Sequence, residues 1–186
     1  MTPTGLFSKP RTRWPRTAKR IIKIALMTTV GIFAICGVAG IRINGSPSLP
    51  VGLYLVTAHS DANLVEFCPT GSFAQLAIER GYRDAGSCSD GGAPLLKPVV
   101  ARAGDIVEVS AAGLAVNGRL LPNTAPMKRD TNNRPLTPWP QGRYTVAPDF
   151  VWVASSYNAR SFDSRYFGPV PLASIRNYER PWITLP

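Results

Sequence analysis

Histidine is nearly missing from this chain of 186 residues, which contains only His59. A Ser-His-Asp triad therefore has a single available base, and the polar stretch around it, AHSDAN, reads as an exposed loop. No Cys-x-x-Cys pair, Gly-rich phosphate loop or dinucleotide fingerprint occurs, so no metal site and no cofactor is expected. Charged residues are only 17% against 45% hydrophobic, which excludes a disordered chain. Eighteen Pro and 16 Gly count against a helical bundle. Carboxylates are absent from the first 60 residues, the first being Asp61. Those 60 residues hold eight basic side chains, and the remainder holds 13 basic against 11 acidic, a net of +2. The formal charge of +10 is thus carried mainly by a tail, and a nucleic-acid-binding role loses its support. No internal repeat is visible.

Behind the tail lies a run of 18 residues without a charge, Ile24 to Ile41 (IALMTTVGIFAICGVAGI). As a helix it measures about 27 Å, enough to cross a hydrocarbon core. Lys9, Arg11, Arg13, Arg16, Lys19, Arg20 and Lys23 precede it, and only Arg42 follows closely. The positive-inside rule then puts the N-terminus in the cytoplasm and the rest outside. A cleaved signal has a shorter apolar region, and a buried core helix is rarely preceded by seven cations. The expectation is a basic cytoplasmic tail (1–23), a single-pass anchor in the inner membrane (24–43) and a periplasmic domain (44–186), with the lipid bilayer as a partner. Cys36 falls inside the anchor as a small apolar residue. Cys68 and Cys88 fall in an oxidising compartment, which favours a disulfide between them.

The exported part reads as mainly β. Val51–Val56, Leu64–Phe67, Leu95–Ala103, Asp105–Ser110, Gly113–Val116, Tyr144–Val146 and Phe150–Ala154 are rich in Val, Leu and aromatics. Asn117-Gly118 signals a type I′ hairpin. One short helix is expected from a capping box at Ser72–Gln75, with Gly81 as its stop. Residues 122–143, Pro-rich and polar, read as a long surface loop. Arg42 to Gly45 reads as a very short linker.

With His59 set aside, lysine is the remaining candidate for a base. The exported part has two, Lys97 and Lys128. Lys128, in MKRD, reads as solvated. Lys97 stands among apolar neighbours in LLKPVV, and Pro98 biases it toward an extended backbone. Pointing inward, its amine loses protons more easily and serves as a general base; pointing outward, it is an edge-strand lysine. Composition leaves both open. For a nucleophile, Ser48 in SPSLP is stiffened by two prolines, but taken alone this is an ordinary juxtamembrane linker.

Three blocks, NGSPSLPVGLY, LLKPVVARAGDIVEV and NARSFDSRYFGPVP, together resemble the ordered boxes of the type I signal peptidase family. The Ser-hydrophobic-Pro-x-Gly-Leu-Tyr and SFDSRYFGPV variants are most similar to its TraF branch, the conjugative-transfer propeptide peptidases. The resemblance covers roughly residues 20–175, and the segment between Cys68 and Cys88 also looks like that branch. It implies a signal-peptidase-like β domain behind a single transmembrane helix, acting as a serine endopeptidase with a Ser/Lys dyad. Ser48 is similar to the nucleophile, Lys97 to the general base and Ser46 to a donor for the oxyanion. Ser161 matches the hydroxyl that orients the lysine, and Asp163 and Arg165 match a charged pair that braces the site. Leu49 replaces the commoner Met, Pro98 replaces an Arg, and the Gly-Asp of the general signal-peptidase box is missing before Ser161. The implied substrates are exported pro-proteins, pilin precursors of a conjugative apparatus foremost. A general signal peptidase and a non-catalytic scaffold of a secretion system are the alternatives. No nucleic acid is expected as a partner.

Overall fold

Cross-strand pairing of short apolar segments builds most of the molecule. The computed structural model describes residues 15–38, 40–58 and 62–185. The chain divides into two compact units, Met1–Ala39 and Gly40–Pro186. The first contributes helix α1 (Arg16–Val38). It begins eight residues before the expected anchor and ends before Ile41, which opens strand β1 (Ile41–Asn44). Residues expected in the anchor and the linker are therefore strand. Among the described residues no helix is long and apolar enough to cross a membrane. From Ile24 the uncharged part of α1 is 15 residues, about 22 Å, because four cations occupy its first turns.

The second unit is mainly β, as expected. Strands β2 (Gly52–Thr57), β3 (Leu64–Phe67), β4 (Leu95–Ala101), β9 (Phe150–Val153), β10 (Val170–Pro171) and β11 (Ile175–Thr184) join β1 in one sheet, in the order β1-β2-β11-β3-β4-β9-β10. A second sheet takes β5 (Ile106–Ser110), β6 (Gly113–Val116), β7 (Arg119–Leu120) and β8 (Gly142–Thr145) in the order β7-β6-β5-β8. Asn117 and Gly118 have φ 50° and 79°, the two positive values a type I′ turn requires. Val107, Val109, Leu114 and Trp152 fill the core of the smaller sheet; Val65, Phe67, Val153 and Phe167 fill that of the larger.

Strand β11 is absent from the sequence reading although it is ten residues long and lies between β2 and β3. Its segment, IRNYERPWIT, carries three charges and a proline that argue against a central strand. A register shift between Pro181 and Ile183 accommodates the residue that lacks an N–H. Helix α2 (Ser72–Glu79) is where the sequence puts it, but the capping box is not formed. Gly71 is the N-cap and no side chain caps the helix, since Ser72 is already its first residue. Gly81 ends it as expected, at φ 70°. The 122–143 segment is largely irregular, yet it is tied down: Arg80 Nη1 donates to Pro135 O at 2.7 Å and Tyr82 Oη to Asp130 Oδ2 at 2.5 Å.

Cys68 and Cys88 form a disulfide across 20 residues. It joins the end of β3 to the segment beyond α2. Closing a loop of this length stabilises the fold by about 3 kcal/mol on the chain-entropy view. Reduction, or Cys68→Ala with Cys88→Ala, is expected to lower the unfolding free energy by that amount in a denaturant titration. Native protein that titrates two free thiols would contradict the bridge.

Gly168 carries a second prediction. It ends the single-turn helix α3 (Ser164–Phe167) at φ 72°, ψ −151°, a conformation reserved for glycine. A Cβ there would stand 2.6 Å from Trp139 Cδ2. Backbone strain and overpacking act together, so Gly168→Ala is expected to cost roughly 2–4 kcal/mol by thermal unfolding. A change below about 0.5 kcal/mol would show that the Trp139 contact is not there.

Candidate active site

Strand β4 delivers Lys97 to the interior. Pro98 O accepts Ala154 N–H at 3.0 Å and Val99 N–H goes to Asn63 O at 2.8 Å, so the ladder resumes around the missing N–H of Pro98. Lys97 is 4% exposed, which decides between the two orientations the sequence left open. Its Nζ lies 2.6 Å from Ser48 Oγ and 3.0 Å from Ser161 Oγ. Three residues spread over 113 positions of chain thus meet at one amine. Lys128, by contrast, is exposed. His59 lies outside the described residues, as does the side chain of Cys36.

Burial pushes the Lys97 amine down from its ordinary 10.5 to about 8; Asp163 opposes that shift and Arg165 adds to it. The last two oppose each other because they form one buried pair. Arg165 Nε donates to Asp163 Oδ1 at 2.8 Å and Nη2 to Asp163 Oδ2 at 2.7 Å. Neither side chain reaches solvent. Arg165 Nη1 also donates to Asn123 O and Ala159 O, both at 2.9 Å. Charge on the carboxylate is thereby spent on the guanidinium, and desolvation governs the amine.

Ser48 is 7% exposed in the turn between β1 and β2. Its N–H faces Ser46 Oγ at 3.4 Å, a long contact. The contact sets side by side the two groups that the resemblance assigns to the oxyanion.

Three braces of this turn escaped the sequence reading. Asn44, at the end of β1, donates from Nδ2 to Ser46 O (3.1 Å) and Pro50 O (3.2 Å), and its Oδ1 accepts Ser46 N–H at 3.1 Å. Ser155 Oγ donates to Ser48 O at 2.5 Å, while Ser155 N–H donates to Asp163 Oδ2 at 3.0 Å. Asn158 Nδ2 donates to Pro47 O at 3.1 Å. Ser155 follows an apolar strand directly and is fully buried, so a buried serine was the available signal. Asn44 gave none, because its strand was read as linker. Beneath the turn, Leu49 packs with Tyr54 and Leu64, and the partly buried Leu96 packs against them.

A cleft of about 310 Å³ opens beside these groups, with Ser46, Lys97, Asn44 and Leu96 in its wall. An amine of lowered pKa within reach of a fixed hydroxyl is the arrangement that activates serine for attack on a carbonyl.

The family model described as signal peptidase, peptidase S26, matches residues 12–183. Plasmid transfer protein TraF of Escherichia coli is 41% identical over 164 residues, covering 86% of this chain and 89% of the relative. Probable conjugal transfer protein TraF of Sinorhizobium fredii is 40% identical over 154 residues, 80% of each chain. Conjugal transfer protein TraF of Agrobacterium fabrum is 33% identical over 174 residues, 91% of this chain and 97% of the relative. A signal peptidase I from Enterococcus faecalis, 19% identical, aligns at a TM-score of 0.33 over 62% of this chain and 91% of that one. On a family match that runs through nearly the whole chain, and relatives spanned over most of their length, this protein belongs to the S26 signal peptidase family.

Proposed function

We propose that the protein is a membrane-anchored serine endopeptidase that processes exported pro-proteins, pilin precursors of a conjugative transfer apparatus foremost. One observation carries the reading: the buried Lys97 amine stands 2.6 Å from Ser48 Oγ. The names of the TraF relatives supply the conjugative context.

In this reading the neutral Lys97 amine takes the Ser48 hydroxyl proton as Oγ attacks the scissile carbonyl, then returns it to the leaving amine. Ser161 Oγ holds the amine toward Ser48. A substrate oxygen displaces the Ser46–Ser48 contact and takes both donors, each worth about 10²–10³ in rate. Water then hydrolyses the acyl-serine. Asp163 and Arg165 act through position, fixing Ser155 and with it the Ser48 carbonyl.

The anchor in this proposal is the apolar part of α1. Ile24, Leu26, Met27 and Val30 are each more than 60% exposed, which suits contact with lipid. Lys19, Arg20 and Lys23 snorkel at the cytoplasmic end, and local thinning of the bilayer accommodates the short helix.

Two predictions follow from the reading. The competent amine is neutral and titrates near 8, so kcat/KM for a pro-substrate peptide is expected to rise about tenfold per pH unit up to about 8 and then level off. Lys97→Arg keeps the charge but supplies no neutral base, so it and Ser48→Ala should each lose at least about 10²–10⁴-fold, with Lys128→Ala near wild type. A Lys97→Arg protein with substantial activity, or a profile flat from pH 6 to 9, would remove the dyad. The second concerns topology: a periplasm-dependent reporter fused after Pro186 should be active, and protease added to spheroplasts should digest the β domain. Complete protection would overturn the orientation.

A further inference from the structure

The cleft that holds Ser46 and Lys97 has a second polar wall that the proposed chemistry does not use. Glu66 on β3 and Glu179 on β11 both line it. Register puts them on one face of the sheet, because Glu179 pairs with Leu64, two residues before Glu66 on the same strand. Glu179 is only 1% exposed, and among the described residues its Oε2 has no hydrogen-bond partner. Glu66 Oε2, in contrast, accepts Asn177 Nδ2 at 2.5 Å and stands 3.9 Å from Arg42 Nε. Burial pushes the Glu179 carboxyl up to about 7, with Glu66 adding to the shift and Arg42 opposing it.

The carboxyls of Glu66, Glu179 and Asp84 share this wall with Arg42 and Lys97, whereas Arg83, also in the wall, is already paired with Asp90 at 2.7 Å. A buried carboxyl oxygen left without a donor is unfavourable in the free protein, and a ligand that brings a donor recovers that loss. An extended peptide lying along the cleft with its scissile carbonyl at Ser48 presents alternate side chains to this wall.

We propose that Glu179 and Glu66 form a carboxyl subsite of the substrate cleft that takes a lysine or arginine side chain of the pro-protein near the cleaved bond. The proposal rests on the peptidase reading for its substrate. A cationic side chain supplies the missing donor to Glu179 Oε2 and a charge that the two carboxyls attract. A neutral amide or hydroxyl side chain would supply only the first, and an apolar one neither.

The test uses the full chain in detergent and a peptide set in which one position at a time, over five residues on either side of the cut, is lysine, arginine, glutamine or norleucine. Cleavage is followed as kcat/KM, and binding to the Ser48→Ala protein is followed by fluorescence anisotropy, which needs no turnover. At one position lysine or arginine should exceed norleucine by at least tenfold in both readouts, with glutamine between them. Glu179→Gln, checked for folding by thermal unfolding, should bring the lysine-to-norleucine ratio close to one. If that variant does not fold, Glu66→Gln should lower the same ratio at the same position. Equal use of lysine and norleucine at every position, or a ratio unmoved in the folded variants, overturns the subsite. Lysine-selective binding without cleavage of any peptide would instead overturn the peptidase reading and leave the subsite standing.

Discussion

Burial loosens the proton on the Lys97 amine, and the charges around it offset that only in part. Asp163 is near enough to oppose the loss of the proton, yet both its oxygens are taken by Arg165. The guanidinium is in turn held by Asn123 O and Ala159 O. Burial is therefore the largest influence on the amine, and it favours the neutral form. Replacing Arg165 by lysine would lose the bidentate fit and free part of the Asp163 charge toward Lys97. The pair in the SFDSRYF segment therefore matters to the base even though neither residue is hydrogen-bonded to it.

Legibility in the sequence followed how local each determinant is. Residues 95–101, 106–110, 113–116 and 150–153 carry their own apolar pattern, and each strand lies within a few residues of the expected place. Asn117-Gly118 sets its own turn. Strand β11 failed because its β character comes from two neighbours rather than from its own residues, and its proline is absorbed by a bulge. The capping box failed for a smaller reason, a one-residue offset between the side chain that could cap and the residue that does. At the site, Lys97 was recognisable as an odd cation, but its direction was not, since the apolar Leu95, Leu96, Val99 and Val100 around it suit a core strand as well as an edge. Ser46, Ser161, Asp163 and Arg165 came from the resemblance alone, which also turned Ser48 from a linker residue into a candidate, and the structure gathers all five around Lys97 or its braces. Asn44 had no signal, and Ser155 only its place just after an apolar strand, because their value lies in contacts over distances of chain that no local pattern reports.

Those contacts explain how a serine on a turn can be held as firmly as one on a strand. A turn of seven residues leaves its carbonyls to be satisfied from elsewhere. Asn44 satisfies two from the N-terminal side, and Ser155 and Asn158 satisfy Ser48 O and Pro47 O from the far end of the sheet. The two prolines add stiffness within the turn, and Leu49 pins it to Tyr54 and Leu64. Ser48 is thus fixed from both directions while its hydroxyl stays against the Lys97 amine. The Ser155 link has a further consequence. Because Ser155 N–H is held by Asp163, the ion pair that bears on the Lys97 proton also sets the position of the Ser48 carbonyl. In the proposed dyad, position of the nucleophile and proton affinity of the base are two outputs of one buried network, so a change in Asp163 cannot alter one and spare the other.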